Sequence, residues 1–221
     1  MRIEWYGQSA FCLDAPEGRV VIDPFGDTSP LAARGIRFDY PPIAVDRADL
    51  VLVTHEHMDH NGIEVVGGDP PVLRSTAGRL GSPLGEVLAI AAEHDTAAGT
   101  ERGPNTIFVL GLGGLRVAHL GDFGQAELRS EQAAALGEVD LMFLPVGGGP
   151  TIGAEGALAI VEKLRPRWVV PMHYRTPRTG FLETADAFLA RMPAVHRLGG
   201  PAFETAELPD EGPVAVVPAA P

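Results

Sequence analysis

Residues 50–62 run LVLVTHEHMDHNG. His55, His57, Asp59 and His60 fall directly after an apolar stretch of strand length. Neutral imidazole and carboxylate are the usual ligands of a borderline divalent metal. His55 and His57 alternate like strand residues, so an extended end can point both the same way. Asp59 and His60 follow after a turn, so one short loop could supply two adjacent ions. The bland alternative is a solvated loop with chance histidines.

Four side chains do not complete a two-metal site, so further ligands are expected at other strand ends. His94 in AIAAEHD, Asp122 in VAHLGDF and His173 in VVPMHY each follow an apolar run. Taken alone, each histidine reads equally as a structural residue and the aspartate as a turn former. Asp23, in VVIDPF, also ends a strand-like run. It is a candidate to orient a ligand histidine, since metal-bound imidazole commonly donates its second N–H to a carboxylate. Its other reading is a turn-forming Asp before Pro24.

Two divalent ions about 3.5–4 Å apart lower the pKa of bound water toward about 7, so a shared hydroxide exists at neutral pH. Such a hydroxide attacks a carbonyl carbon or a phosphorus. Asp59 is the candidate catalytic residue, orienting the nucleophile or accepting its proton. Zn is the first choice of metal, with Mn, Fe or Ni also suited to His and carboxylate. For substrate contacts, Tyr174, Arg175 and Arg178 follow His173 at once, and arginine suits carboxylate and phosphate. Thr151, in PVGGGPTIG, could donate a hydrogen bond. Arg74 and Arg79 are weaker candidates, and the alternative for all of these is solvated surface.

The motif H-x-H-x-D-H after a strand, then a His, a Gly-Asp and a strand-terminal His, resembles the metallo-β-lactamase superfamily. AEHD, HLGD, PVGGGPTIGAEGA and VVPMHY are similar to its small metal-dependent hydrolases near the L-ascorbate-6-phosphate lactonases. The resemblance spans roughly residues 1–200. It implies a four-layer αββα sandwich with the metal site at the edge between two sheets. It also implies that His55, His57 and His94 hold one ion, that Asp59, His60 and His173 hold the other, and that Asp122 bridges them. His57 stands where redox di-iron members carry Glu, which disfavours oxygen or nitric oxide reduction. His119 and His196 remain as structural residues, with His119 a possible support behind the ligands.

The elements that must position these groups are short. MRIEWYGQSAFCLD, GRVVIDPFG and ADLVLVTH read as strands, with a long loop over 26–48. PPVLRST and EVLAIAAEH are weaker strand candidates. NTIFVLGLGGLRVAHLGD predicts a hairpin turning at Gly111, Gly113 and Gly114. AELRSEQAAALG predicts a helix capped by Gly137, AEGALAIVEKLRP a helix stopped by Pro166, and LETADAFLARM a last helix. DLMFLPV and RWVVPMHY predict buried strands. A hydrolase domain is expected over 1–205, followed by an edge strand and frayed tail over 206–221.

The 221 residues are 45% apolar and 21% charged, with a net charge of −12. That balance argues against nucleic acid or an anionic membrane as partner. Cys12 is the sole cysteine, which excludes an intrachain disulfide and a thiolate metal cluster. With no apolar h-region near residue 1, a soluble cytoplasmic protein acting on a small, anionic ester, lactone or phosphoester is expected. Alternatives are a phosphodiesterase on nucleic acid or phospholipid, and a metal- or ligand-binding protein without turnover.

Overall fold

The computed structural model describes residues 1–221. Its first sheet is built from β1 (Arg2–Gly7), β2 (Ala10–Ala15), β3 (Gly18–Ile22), β4 (Leu50–Val53) and β5 (Val72–Arg74). The second is built from β6 (Gly78–Ser82), β7 (Gly85–Glu93), β8 (Pro104–Leu112), β9 (Leu115–His119), β10 (Leu141–Pro145), β11 (Trp168–Met172) and β12 (Ala194–Arg197). β13 (Ala202–Glu204) returns to the first sheet and β14 (Val214–Val217) to the second. Strand order is β13-β1-β2-β3-β4-β5 in the first and β12-β14-β11-β10-β9-β8-β7-β6 in the second. Both mix parallel and antiparallel pairs.

Alternation along the strands divides the interior in two. Ile3, Trp5, Phe11, Leu13, Leu50 and Leu52 belong to the main core with residues of the second sheet such as Phe108, Val117 and Phe143. Ala10, Cys12, Val51 and Val53 lie in a separate cluster with Phe25, Phe38, Tyr40 and Val45. β4 is buried throughout, as its unbroken apolar run predicts.

Helices α2 (Ser130–Leu136) and α3 (Ala154–Leu164) contribute Leu136, Ala157, Ile160 and Val161 to the main core, and α4 (Asp186–Leu189) adds Phe188 and Leu189. The outer layer of the first sheet is thinner. It holds α1 (Ser29–Ala33), a 3₁₀ turn over Ile63–Val65 and otherwise irregular chain: Pro30 opens α1 at its first turn, and Gly35, Pro41 and Pro42 interrupt any longer helix. The four layers are therefore unequal.

Several elements differ from expectation. The last helix covers only 186–189, and Pro193 restrains the residue before it. β6, β12 and β13 were not expected, since they are short and partly exposed. The strand expected at the edge near the C-terminus lies inside the sheet: β14 pairs in parallel with β11 on one side and β12 on the other, and all four residues are buried. After it, Ala219 N–H bonds Gly200 O at 3.1 Å. No helix is long and apolar enough to cross a membrane.

Candidate metal centre

The histidines and aspartates picked from the sequence converge at one end of the two sheets. His55, His57, Asp59 and His60 occupy the loop after β4, with Asp23 just after the neighbouring β3. His94 follows β7, Asp122 follows β9 and His173 follows β11, all in the second sheet. Three groups lie with their ligand atoms within 4.8 Å of one another: His55, His57 and His94; Asp59, His60 and His173; and Asp23, His55 and His60. Asp122 stands at the centre. Its Oδ2 is 3.1 Å from His173 Nε2, 3.2 Å from His94 Nε2, 3.3 Å from His60 Nε2 and 3.8 Å from His55 Nε2.

Buried hydrogen bonds decide which nitrogen three of the imidazoles present. His60 Nδ1–H donates to Asp23 Oδ2 at 2.9 Å, leaving Nε2 as the lone-pair atom. His94 Nδ1–H donates to the Pro150 carbonyl at 3.0 Å. Thr54 Oγ1–H donates to Asp23 Oδ2 at 2.6 Å, so its oxygen accepts from His55 Nδ1 at 3.0 Å. Asp23 Oδ1 also takes the Thr54 N–H at 2.7 Å. The Asp23 carboxylate is thereby occupied on both oxygens and fully buried. It works as an orienting group for His60 directly and for His55 through Thr54, and the Asp23-containing group is not a third ligand set.

Backbone geometry supports the site. Asp23 and His173 adopt left-handed φ of 48° and 50°, conformations that non-glycine residues hold only when packing imposes them. Gly121 precedes Asp122 at φ 57°, and a Cβ there would stand 2.3 Å from Asn105 Oδ1, the acceptor of the Asp122 N–H. Glycine is thus required in the HLGD turn.

The donor set fits divalent metal ions. His60 Nε2 is buried with no hydrogen-bond partner, although it lies 3.3 Å from a carboxylate oxygen. The electrostatics point the same way. Burial acts to raise the Asp122 carboxyl, but His173 and His60 outweigh it and hold it well below the usual carboxylate range. Burial acts to lower His60, but Asp122, Asp59 and Asp23 raise it well above the usual imidazole range. His55 moves down instead, through burial and its histidine neighbours, with Asp122 opposing. Buried carboxylates facing crowded imidazoles call for positive charge, which divalent ions supply.

The residues expected to contact substrate do not line the cleft above this cluster. Thr151 lies behind His173, its Oγ1 3.4 Å from His173 Nδ1. Tyr174 is buried and stacks on Trp5 at 5.7 Å between ring centroids. Arg175 bonds the Leu182 carbonyl, and Arg178 bonds the Pro221 carbonyl. Arg74 pairs with Glu56, whose carboxyl this hydrogen bond holds down at about 2, and Arg79 pairs with Glu86 on the neighbouring strand. The cleft, of about 460 Å³, is lined instead by Leu31, Arg34, Ile36, Met58, Arg102 and Phe181, together with candidate ligands. His119 is buried, accepts the Gly121 N–H and bonds the Ser9 carbonyl. Ser9 Oγ in turn contacts Asp122 Oδ1 at 3.3 Å.

Two mixed sheets enclosing a buried His/Asp cluster are the metallo-β-lactamase fold, and a family model for the beta-lactamase superfamily domain matches residues 2–173. A Thermotoga maritima structure, proposed to be a Zn-dependent hydrolase of that superfamily, superposes with a TM-score of 0.77 at 29% identity over 98% of each chain. A UPF0173 metal-dependent hydrolase of Thermus thermophilus is 34% identical over 201 residues, covering 80% of this chain and 84% of its own. A UPF0173 protein of Pyrococcus furiosus is 33% identical over 196 residues, with 80% and 84% covered. The chain belongs to the metallo-β-lactamase superfamily and, within it, to the UPF0173 metal-dependent hydrolase family.

Proposed function

We propose that the protein is a dinuclear metal hydrolase of a small ester, lactone or phosphoester. In this reading His55, His57 and His94 would hold one ion, Asp59, His60 and His173 would hold the second, and Asp122 would serve both. The observation that carries it is the convergence of four imidazole Nε2 atoms within 3.8 Å of Asp122 Oδ2, with Nδ1 of His60 and His94 tied to protein acceptors. Divalent ions there, Zn foremost, would supply Lewis acidity and a nucleophile at neutral pH. Asp59 is less buried than His60 and lines the cleft, where its carboxylate can orient water or accept its proton. Asp23 and Thr54 keep the imidazoles in one tautomer, and the strand ends keep them in place.

The size of the cleft suits a small molecule, and the net charge of −12 disfavours nucleic acid. The motif order that resembles the L-ascorbate-6-phosphate lactonases makes a sugar-phosphate lactone the first compound to assay, beside an activated phosphodiester. Metal analysis should find about two ions per chain. Turnover should vanish on chelation and in His55→Ala. Turnover that survives both would overturn the reading.

A further inference from the structure

Arg34 and Arg102 line the metal cleft, and neither side chain takes an ion pair or hydrogen bond within the protein. The contrast with their neighbours is informative. Arg74, at the rim, is committed to Glu56, and Arg175 and Arg178 are committed to backbone carbonyls. No carboxylate is left in the cleft to neutralise the two free guanidinium groups. Glu56 is paired with Arg74, while Asp59 and Asp122 face the candidate ligand histidines. Two uncompensated cations beside a metal centre, in a protein of net charge −12, mark a place for an external anion.

Arg102 is also held in position. It closes the loop between β7 and β8, in which Asp95 directly follows His94. One Asp95 oxygen accepts the N–H groups of Ala97 and Gly99 at 2.8 and 2.9 Å, and the other those of Glu101 and Arg102 at 3.1 and 2.8 Å. The Arg102 backbone is therefore fixed relative to a candidate metal ligand. Arg34 reaches the cleft from the segment after α1, which covers the first sheet. Leu31, Ile36, Met58 and Phe181 add apolar surface to the same cleft. Phe181 is 41% exposed, and its ring stands edge-on to His173 at 6.3 Å between centroids.

We infer that Arg34 and Arg102 bind an oxyanionic group, carboxylate or phosphate, at the far end of a substrate whose apolar body lies along Leu31, Met58 and Phe181. Guanidinium forks pair two oxygens of either anion. This rests on the hydrolase reading for the scissile bond, but the anion site itself does not need turnover.

The test uses the metal-loaded full chain and three 4-nitrophenyl esters of equal acyl length: hexanoate, the monoester of adipic acid, and 5-phosphonopentanoate. They differ only in a methyl, carboxylate or phosphonate tip. The wild type should prefer a charged tip, and the better of the two names the anion. In R34M/R102M the ratio of kcat/KM for charged over methyl-tipped ester should fall about a hundredfold, at unchanged metal content, with the loss in KM. R34K/R102K should fall between. Calorimetric binding of adipate and of 5-phosphonopentanoate, to loaded and to chelated protein, reads the arginines without catalysis and should weaken in parallel. Preference and binding that survive in R34M/R102M would overturn the inference, as would wild-type preference for the methyl tip. If the loaded wild type cleaves none of the three while anion binding still depends on both arginines, the ester-hydrolase reading falls and the anion site stands.

Discussion

Asp23 steers two imidazoles with one carboxylate, one of them through the hydroxyl of Thr54. Asp23→Asn replaces one accepting oxygen by a donor and loosens both histidines. It should weaken metal retention by roughly ten- to a hundredfold in competition with a chelator. Thr54→Val removes only the relay, so its effect should be smaller and confined to the ion held by His55. Cys12 gives a separate test. Burial, the largest cause, lifts its thiol from 9.0 to about 11, so the native thiol stays protonated at pH 8. Alkylation by iodoacetamide should be slow until the protein is unfolded. Because the folded value lies above the unfolded one, this contribution to stability is present below about pH 9 and is lost as pH rises toward 11. At this scale the sequence exposes the candidate ligands, because their types are rare and they end apolar runs. Arg34 and Arg102 escape it, since irregular chain carries them to the cleft without any pattern. Tyr174, Arg175 and Arg178 mislead because adjacency to His173 in the chain does not fix where a side chain goes, and all three are engaged elsewhere.

Among the elements, β4, β10 and β11 were legible as unbroken apolar runs, and the β8–β9 hairpin by its glycines. β12 and β13 were not, because exposed or part-exposed short strands lack a hydrophobic signature. β14 was legible as a strand, but its place inside the sheet depends on a gap between β11 and β12 that no local pattern reveals. A chain ending at residue 205, where the sequence suggests a domain limit, should therefore not fold stably, and its denaturation midpoint should be lost or far lower. Val216→Asp should act in the same direction. It puts a charge at a fully buried position, at a cost of several kcal/mol. The β7–β8 loop offers a milder test. Asp95→Ala leaves four backbone N–H groups without their acceptor. Amide exchange over 95–103 should accelerate, while β10 and β11 remain protected.

For the whole molecule, the candidate ligands divide between the sheets: His55, His57, Asp59 and His60 come from the first, and His94, Asp122 and His173 from the second. Bound ions would rivet one sheet to the other. With free metal at a hundredfold over Kd, each site adds about 2.7 kcal/mol. Chelation should then lower Tm by roughly 10–20 °C for a chain of this size. Calorimetry with and without chelator measures it, and an unchanged Tm would mean that the ions do not join the sheets. The order of strands carries a further consequence for how the molecule is made. β12 is synthesised before β14 yet lies outside it, with β14 filling the space toward β11. Until β14 is seated, β11 and β12 each turn an unpaired backbone edge toward the slot between them. A molecule caught at that stage, after its chain is released, is open to a stray strand from another chain.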